Sequence, residues 1–182
     1  PGGALDALVR MKDEGMADAI GIAMGRTDIL MSLLPDWPFD LLLCHNRFTL
    51  LNRSASTVFD YAQQNGIAVF NAAPFAGGVL AKGSAAGKRI TYHVADEAAL
   101  APVRYVEDIC ARHGTAPGTV ALKFSMNDPR LTSTIVGVSR PERVLQTLQW
   151  AETMPDNAIW DDLSTLDIDW DDPEVNRDYV PG

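Results

Sequence analysis

The sequence predicts an α/β fold built on a parallel sheet, and two patterns carry that prediction. Four short apolar runs recur along the chain, each followed by a segment whose apolar residues repeat at helical spacing. Each run is too apolar to be half-exposed, which is expected of parallel strands covered by helices on both faces. Strands joined this way cross over right-handedly through their helices.

Residues 3–14 read as a helix, with Leu5, Leu8 and Val9 at helical spacing, Lys12 in the last turn and Gly15 as the stop. The first apolar run is AIGIAM, residues 19–24. Thr27 and Asp28 are candidate caps for a helix through Leu34, ended by Pro35 and Pro38. The second run is FDLLLC, residues 39–44. Ser54 and Ser56 offer caps for a helix through Gln64, closed by Asn65 and Gly66, and IAVFN, residues 67–71, is the third run. Residues 77–91, rich in Gly, Ala and Lys, read as a long loop. A long amphipathic helix over 96–113 turns Val103, Val106 and Ile109 inward and stops at Gly114, and another covers 117–127. TIVGV, residues 134–138, is the fourth run, followed by a helix over 141–152.

The remainder, 154–182, is acidic, so the chain divides into 1–153 and a tail. Trp160 and Trp170 are expected to anchor the tail, with Asp161, Asp162, Asp167, Asp169, Asp171 and Asp172 on a solvated face. An acidic binding tail is the alternative.

With 182 residues, the chain is long enough for one domain with a real core. A net charge of -9 argues against nucleic acid or an anionic membrane as partner, since both need clustered Lys and Arg. No apolar run is long enough to span a bilayer. Pro1, Gly2 and Gly3 lack the pattern of a secretory leader. The expectation is a cytoplasmic protein, or a chain whose beginning is missing. Cys44 and Cys110 are expected to be buried reduced thiols. His45, His93 and His113 have no metal-ligand spacing, so no metal is expected.

Four strand–helix units are too few to close an eight-stranded barrel, which takes ~250 residues, and a doubly wound sheet fits the count equally well. Local sequence discriminates between them. EGMADAIGIAMG (14–25), FDLLLCHNRFTLLNR (39–53), IAVFNAAPFAGGVLAKG (67–83) and STIVGVSRPERVLQT (133–147) stand in order, with TAPGTVALKFSMNDPRLTS (115–133) before the last. Together they resemble the second half of an aldo-keto reductase, especially the sugar- and pyridoxal-dehydrogenase branch, over nearly the whole chain. The resemblance implies a (β/α)8 TIM barrel of which this chain covers strands five to eight, a half-barrel, plus the C-terminal tail.

The last segment has a physical rationale. Gly137, just past a buried strand, lets the backbone approach a ligand closely. Val138, Ser139, Arg140 and Pro141 then feed a helix N-terminus, whose free N–H groups and dipole favour phosphate. Arg143, on the first turn, matches the family's arginine that contacts the adenosine phosphate, a role suited to its planar fork. A surface arginine paired with Glu142 is the plainer alternative. Gly137 stands where NADP-preferring members have lysine, and Gln146 and Thr147 where glutamate and asparagine often face the adenine. The implied cofactor is therefore NADP or NAD.

On the nicotinamide side, Ala23 and Met24 stand for the family's Ser-Asn. His45 stands for a glutamine whose hydrogen-bonding it can still supply, or is a satisfied rim histidine. Ala72 replaces the stacking aromatic, leaving Phe70 or Phe75 to fill the space. Ala73, Pro74, Phe75, Ala76, Gly77 and Gly78 form a pyrophosphate-covering loop or an ordinary turn.

The family's catalytic tyrosine, lysine, aspartate and histidine match nothing here, and no D-x-x-x-x-Y-G pattern occurs. Tyr61, Tyr92, Tyr105 and Tyr179 read as packing or loop residues. A half-barrel leaves two strand edges and an apolar face uncovered, so pairing with a complementary N-terminal half, or self-association, is expected. The resemblance implies an NAD(P)-dependent oxidoreductase acting on an aldehyde, ketone or aldose-type substrate. This chain would supply the cofactor side and the substrate loops over 77–94. The alternatives are a non-catalytic nucleotide-binding or assembly module, and an unrelated phosphate-binding barrel enzyme.

Overall fold

In a computed structural model of the protein, which describes residues 2–86, 89–91 and 93–166, strands and helices alternate along most of the chain. Helix α1 (Ala4–Asp13) leads to β1 (Gly21–Ala23), α2 (Thr27–Leu33), β2 (Leu41–His45), α3 (Ser56–Gln64) and β3 (Ala68–Ala72). A 3₁₀ turn (Ala76–Gly78), α4 (Val79–Lys82), β4 (Arg89–Ile90) and β5 (His93–Val94) come next. Then follow α5 (Glu97–Arg112), α6 (Pro117–Met126), β6 (Ser133–Ile135), α7 (Pro141–Glu152) and α8 (Ala158–Ser164).

Four strands form one parallel sheet in the order β1-β2-β3-β6. Ala23 stands beside Leu43, His45 beside Ala72, and Ala72 beside Ile135. All four strands therefore end on one side of the molecule. Lys12 pins α1 to the opposite side: its Nζ lies 2.5 Å from Asp40 Oδ1, and Asp40 also accepts the Ile20 amide at 2.8 Å. These bonds hold the Asp40 carboxyl below its ordinary range, the Lys12 contact contributing most.

The sheet is covered on one face only among the described residues. Leu42, Cys44 and Val69 are fully buried against Leu30, Val58 and Phe59 of α2 and α3. Leu41, Leu43, Ala68, Phe70 and Ala72 point to the other face and are half-buried, and Ile135 there is 39% exposed. This corrects the expectation of strands buried on both sides. The apolar residues are present on both faces, but helices pack on only one.

A second core lies beneath α5, α6 and α8, where Val103, Val106, Ile109, Val120 and Ile159 are all fully buried. Asp96 caps α5 by accepting the Ala99 amide at 2.8 Å. In the tail, Ile159 and Leu163 join this core and Trp160 packs against it. Asp162 is a docking residue rather than part of a solvated face, taking His113 Nε2 at 3.0 Å and Arg112 at 3.2 Å. Trp170, Asp167, Asp169, Asp171 and Asp172 lie outside the described residues.

Three local expectations are corrected. Residues 77–91 are not one loop: Val79 and Leu80 are buried in the core, and that burial holds the single turn of α4, too short to persist on its own. The proposed caps are not caps. Arg26 precedes α2 while Asp28 binds its guanidinium at 2.8 Å, and Ala55 precedes α3 while Ser54 donates to Asn52 Oδ1 at 2.7 Å. The fourth apolar run yields strand only over Ser133–Ile135, since β6 pairs with β3 alone and Val138 lies beyond that ladder. No helix among the described residues is long and apolar enough to cross a membrane.

Candidate functional site

The chain turns sharply where two central strands end. His45 is followed by Asn46 at φ 59°, and Ala72 by Ala73 at φ 59°. A side chain in this left-handed region costs roughly 1–2 kcal/mol, and such strain persists only where the surroundings enforce it. For Ala73 the constraint is visible, since its amide donates to the Ile135 carbonyl at 3.2 Å. Further on, Gly77 has φ 73°, and a Cβ there would lie 2.7 Å from the Thr91 backbone. Glycine is required at that contact. Thr91 in turn donates its amide to Ala76 O at 3.2 Å.

Beside this turn, β6 ends and Val136–Arg140 leads into α7. Gly137 and the three residues after it are exposed, and nothing lies within 4 Å of a Cβ built on Gly137. The fold itself does not demand glycine there, so any requirement for one comes from whatever occupies that space. Pro141 opens α7, and no side chain caps its first turn. Its positive end faces outward.

These segments enclose a cavity of about 600 Å³, within the usual range for small-molecule sites. Ala73, Phe75, Gly77, Gly137, Val138, Ser139, Arg143 and Thr147 all line it. Gln146 lines an adjoining depression with Lys82 and Glu142. Thr147 is less available than its position suggests, because its hydroxyl donates to Arg143 O at 2.7 Å. His45 stands apart from the cavity, half-buried on the open sheet face, with its Nε2 3.1 Å from where a Gly25 Cβ would be. Its carbonyl accepts from Arg47 at 3.2 Å.

Sequence reasoning gave no side-chain role to three lining residues of consequence: Lys82, Arg140 and Trp150. With Arg143, the first two place three cations on the cavity wall of a chain whose net charge is -9. None of the three forms an ion pair among the described residues, so Arg143 does not pair with Glu142. Trp150 meets Phe75 edge-on, ring centroids 5.6 Å apart, and packs so closely on Gly118 that a Cβ there would lie 2.5 Å from its ring. Arg143, Thr147 and Trp150 recur at helical spacing on one face of α7, a signal that could have found Trp150.

Phe75, not Phe70, is the aromatic that reaches the cavity; Phe70 lies mid-strand on the open face. Ala23 is exposed at the end of β1, while Met24 packs into the core. Tyr61 packs against the core and Tyr105 lies within 3.2 Å of the Thr165 hydroxyl, both away from the cavity. Tyr92 and Tyr179 fall outside the described residues. Both cysteines are buried and neither is in a disulfide, and burial pushes the Cys110 thiol up to about 11.

A model of the aldo/keto reductase family matches residues 3–166. The chain is 25% identical over 163 residues to a pyridoxal 4-dehydrogenase of Microbacterium luteolum, covering 89% of this chain and 48% of that protein. It is 28% identical over 164 residues to a D-threo-aldose 1-dehydrogenase of Pseudomonas sp, covering 88% and 50%. It thus spans about half the length of the curated relatives it matches. Among solved structures, the holo form of aldo-keto reductase AKR11C1 from Bacillus halodurans aligns with a TM-score of 0.67 at 18% identity, over 88% of this chain and 54% of that one. A thermostable aldo-keto reductase, Tm1743, aligns at 0.59 and 16% identity, over 87% and 52%. At that identity the likeness speaks for fold: the parallel sheet and its helices are arranged as in those aldo-keto reductases.

Proposed function

The chain belongs to the aldo/keto reductase family, and from that premise we propose that it forms the nicotinamide-dinucleotide side of an oxidoreductase acting on a small aldehyde, ketone or aldose-type sugar. The observation that carries this reading is the cavity at the ends of β3 and β6. There, a glycine-marked loop, an uncapped helix N-terminus and three cations converge on one space. That is a set of groups suited to phosphate.

On this reading the backbone of Gly137, Val138 and Ser139 and the first turn of α7 hold a phosphate, while Arg143, Lys82 and Arg140 neutralise it. Ala73, Phe75 and Gly77 cover the dinucleotide, Phe75 and Trp150 giving it an apolar wall. Gln146 and Thr147 flank the adenine, and His45, along the row of strand ends, lies toward the nicotinamide. When bound, the dinucleotide exchanges a hydride between nicotinamide C4 and the substrate carbon. Both NADP and NAD remain compatible with this arrangement, and three cations favour the ligand with the extra phosphate. The acid that polarises the carbonyl is assigned to no residue of this chain.

We further assign residues 1–153 to strands five to eight of a TIM barrel and 154–182 to a tail flanking it, in a cytoplasmic enzyme. The open sheet face supports a covering partner: a complementary N-terminal half-barrel, or a second copy. Calorimetric titration with NADP+ and NAD+ tests the proposal. Heat on adding at least one is expected, and none with either refutes it. The alternative, a nucleotide-binding or assembly module without catalysis, draws on the lack of a tyrosine at the cavity among the described residues. Tight dinucleotide binding without any carbonyl reduction in the complete protein would favour it.

A further inference from the structure

The cavity wall running from Ala76 to Lys82 is an arm anchored in its middle by the buried Val79 and Leu80 and tied down at each end. At its start, the Gly77 backbone lies flat against Thr91. At its far end, the chain passes through Gly83 at φ 83° and reaches Ser84, whose amide and hydroxyl both donate to Glu107 of α5. The amide meets Oε1 at 2.6 Å and the hydroxyl meets Oε2 at 2.6 Å, so the carboxylate is engaged through both oxygens. Gly83 makes this approach possible, since a Cβ there would lie 2.8 Å from Glu107 Oε1. Lys82, one residue before the tie, lines the cavity and carries one of its three cations.

We propose that Glu107 is a positioning residue: its bidentate grip on Ser84 latches the arm, holds Lys82 at the cavity and sets how long a bound dinucleotide stays. Glu107 itself does not line the cavity. The inference rests on the dinucleotide reading of the cavity, and its mechanical part stands independently of it. Hydrogen bonds to a charged acceptor are among the stronger ones, so losing both frees the far end of the arm at Lys82–Ser84, while Thr91 and the buried Val79 and Leu80 still hold the rest.

The test compares wild type, Glu107→Ala and Glu107→Gln. Glutamine keeps both contacts, accepting from the amide and donating to the hydroxyl. Without ligand, the Ser84 amide should exchange with solvent faster in Glu107→Ala and at the wild-type rate in Glu107→Gln. With NADP+ or NAD+, the dissociation rate should rise on the order of tenfold in Glu107→Ala and be restored in Glu107→Gln. Unchanged Ser84 exchange in Glu107→Ala overturns the latch. Faster exchange with unchanged dissociation overturns its control of ligand lifetime. Wild type binding neither dinucleotide overturns the reading of the cavity, while the exchange comparison still decides the latch. A helix merely loosened by the substitution would melt earlier and speed exchange along α5 as well, an outcome that also counts against the proposal.

Discussion

Replacing Arg143 by alanine separates phosphate recognition from general stability. The guanidinium lies on the cavity wall and makes no ion pair or side-chain hydrogen bond among the described residues, so the folded protein loses little when it goes. Surface changes of this kind stay within about 0.5 kcal/mol, and for a domain of this size that moves Tm by no more than about 2 °C. The ligand loses far more. A charge-assisted hydrogen bond to phosphate contributes roughly 1.5–3 kcal/mol, or about ten- to a hundredfold in Kd. Taking the lower end for a half-exposed site still leaves about tenfold. If Arg143 meets the 2′-phosphate, that loss falls on NADP+ and spares NAD+, and it shrinks as salt screens the contact. Titrating both dinucleotides against wild type and Arg143→Ala at two salt concentrations measures it. Equal weakening of NADP+ and NAD+ would refute the 2′-phosphate assignment. A Tm fall of many degrees would show that Arg143 supports the fold instead.

Other perturbations probe the scaffold. Ala73→Gly relieves the left-handed strain of about 1–2 kcal/mol but loosens the unfolded chain by about 0.4–1; the net gain of up to about 1.6 kcal/mol should raise Tm by up to about 6 °C, and a fall would mean that Ala73 is unstrained. Leu42→Ala empties a fully buried site at the centre of the sheet and should cost about 2–5 kcal/mol in denaturant unfolding, whereas a loss under about 1 would show that the site collapses readily. Arg130 binds Asp128 at 2.6 Å and Asp60 at 2.7 Å while lying over the Phe48 ring. Burial alone would raise the Asp128 pKa, but the Arg130 contacts outweigh it and hold the carboxyl below its ordinary range. That contribution is therefore present above about pH 4 and lost as pH falls through the depressed value. Arg130→Met should destabilise the protein near neutrality by about 2 kcal/mol or more and flatten the stability curve below pH 4. An acid limb as steep as wild type would contradict it.

Much of this architecture was legible in the residues. Helix α7 begins at Pro141 and ends at Glu152 as its spacing and its opening proline imply. Val103, Val106 and Ile109 turn inward because their period fixes the face. The cavity was legible as two separate loops, since the glycine-rich turn after β3 and the Gly137 loop each carry their own signal. That they meet depends on β3 pairing with β6, a contact written in no local pattern. Helix α4 was hidden for a related reason: its four residues are held by burying Val79 and Leu80, which propensity does not report. The open sheet face was anticipated only through the half-barrel resemblance, because apolar composition shows what a strand could bury, not whether a second layer lies over it. The misplaced caps show the same limit, for Ser54 and Asp28 found partners closer than a helix amide.

The β3–β6 pairing has one more consequence. It spans only Phe70–Ala72 against Ser133–Ile135, yet with the Val69 amide bonded to Thr132 Oγ1 it joins stretches 63 positions apart and brings both walls of the cavity together. Such a short ladder at the border of the sheet, like that of β1 on β2 at the opposite border, should part under mild heating or denaturant before the helices over the core let go. Ligand recognition should then fail at gentler conditions than folding does, and a nucleotide bridging the two walls would act as the missing rung.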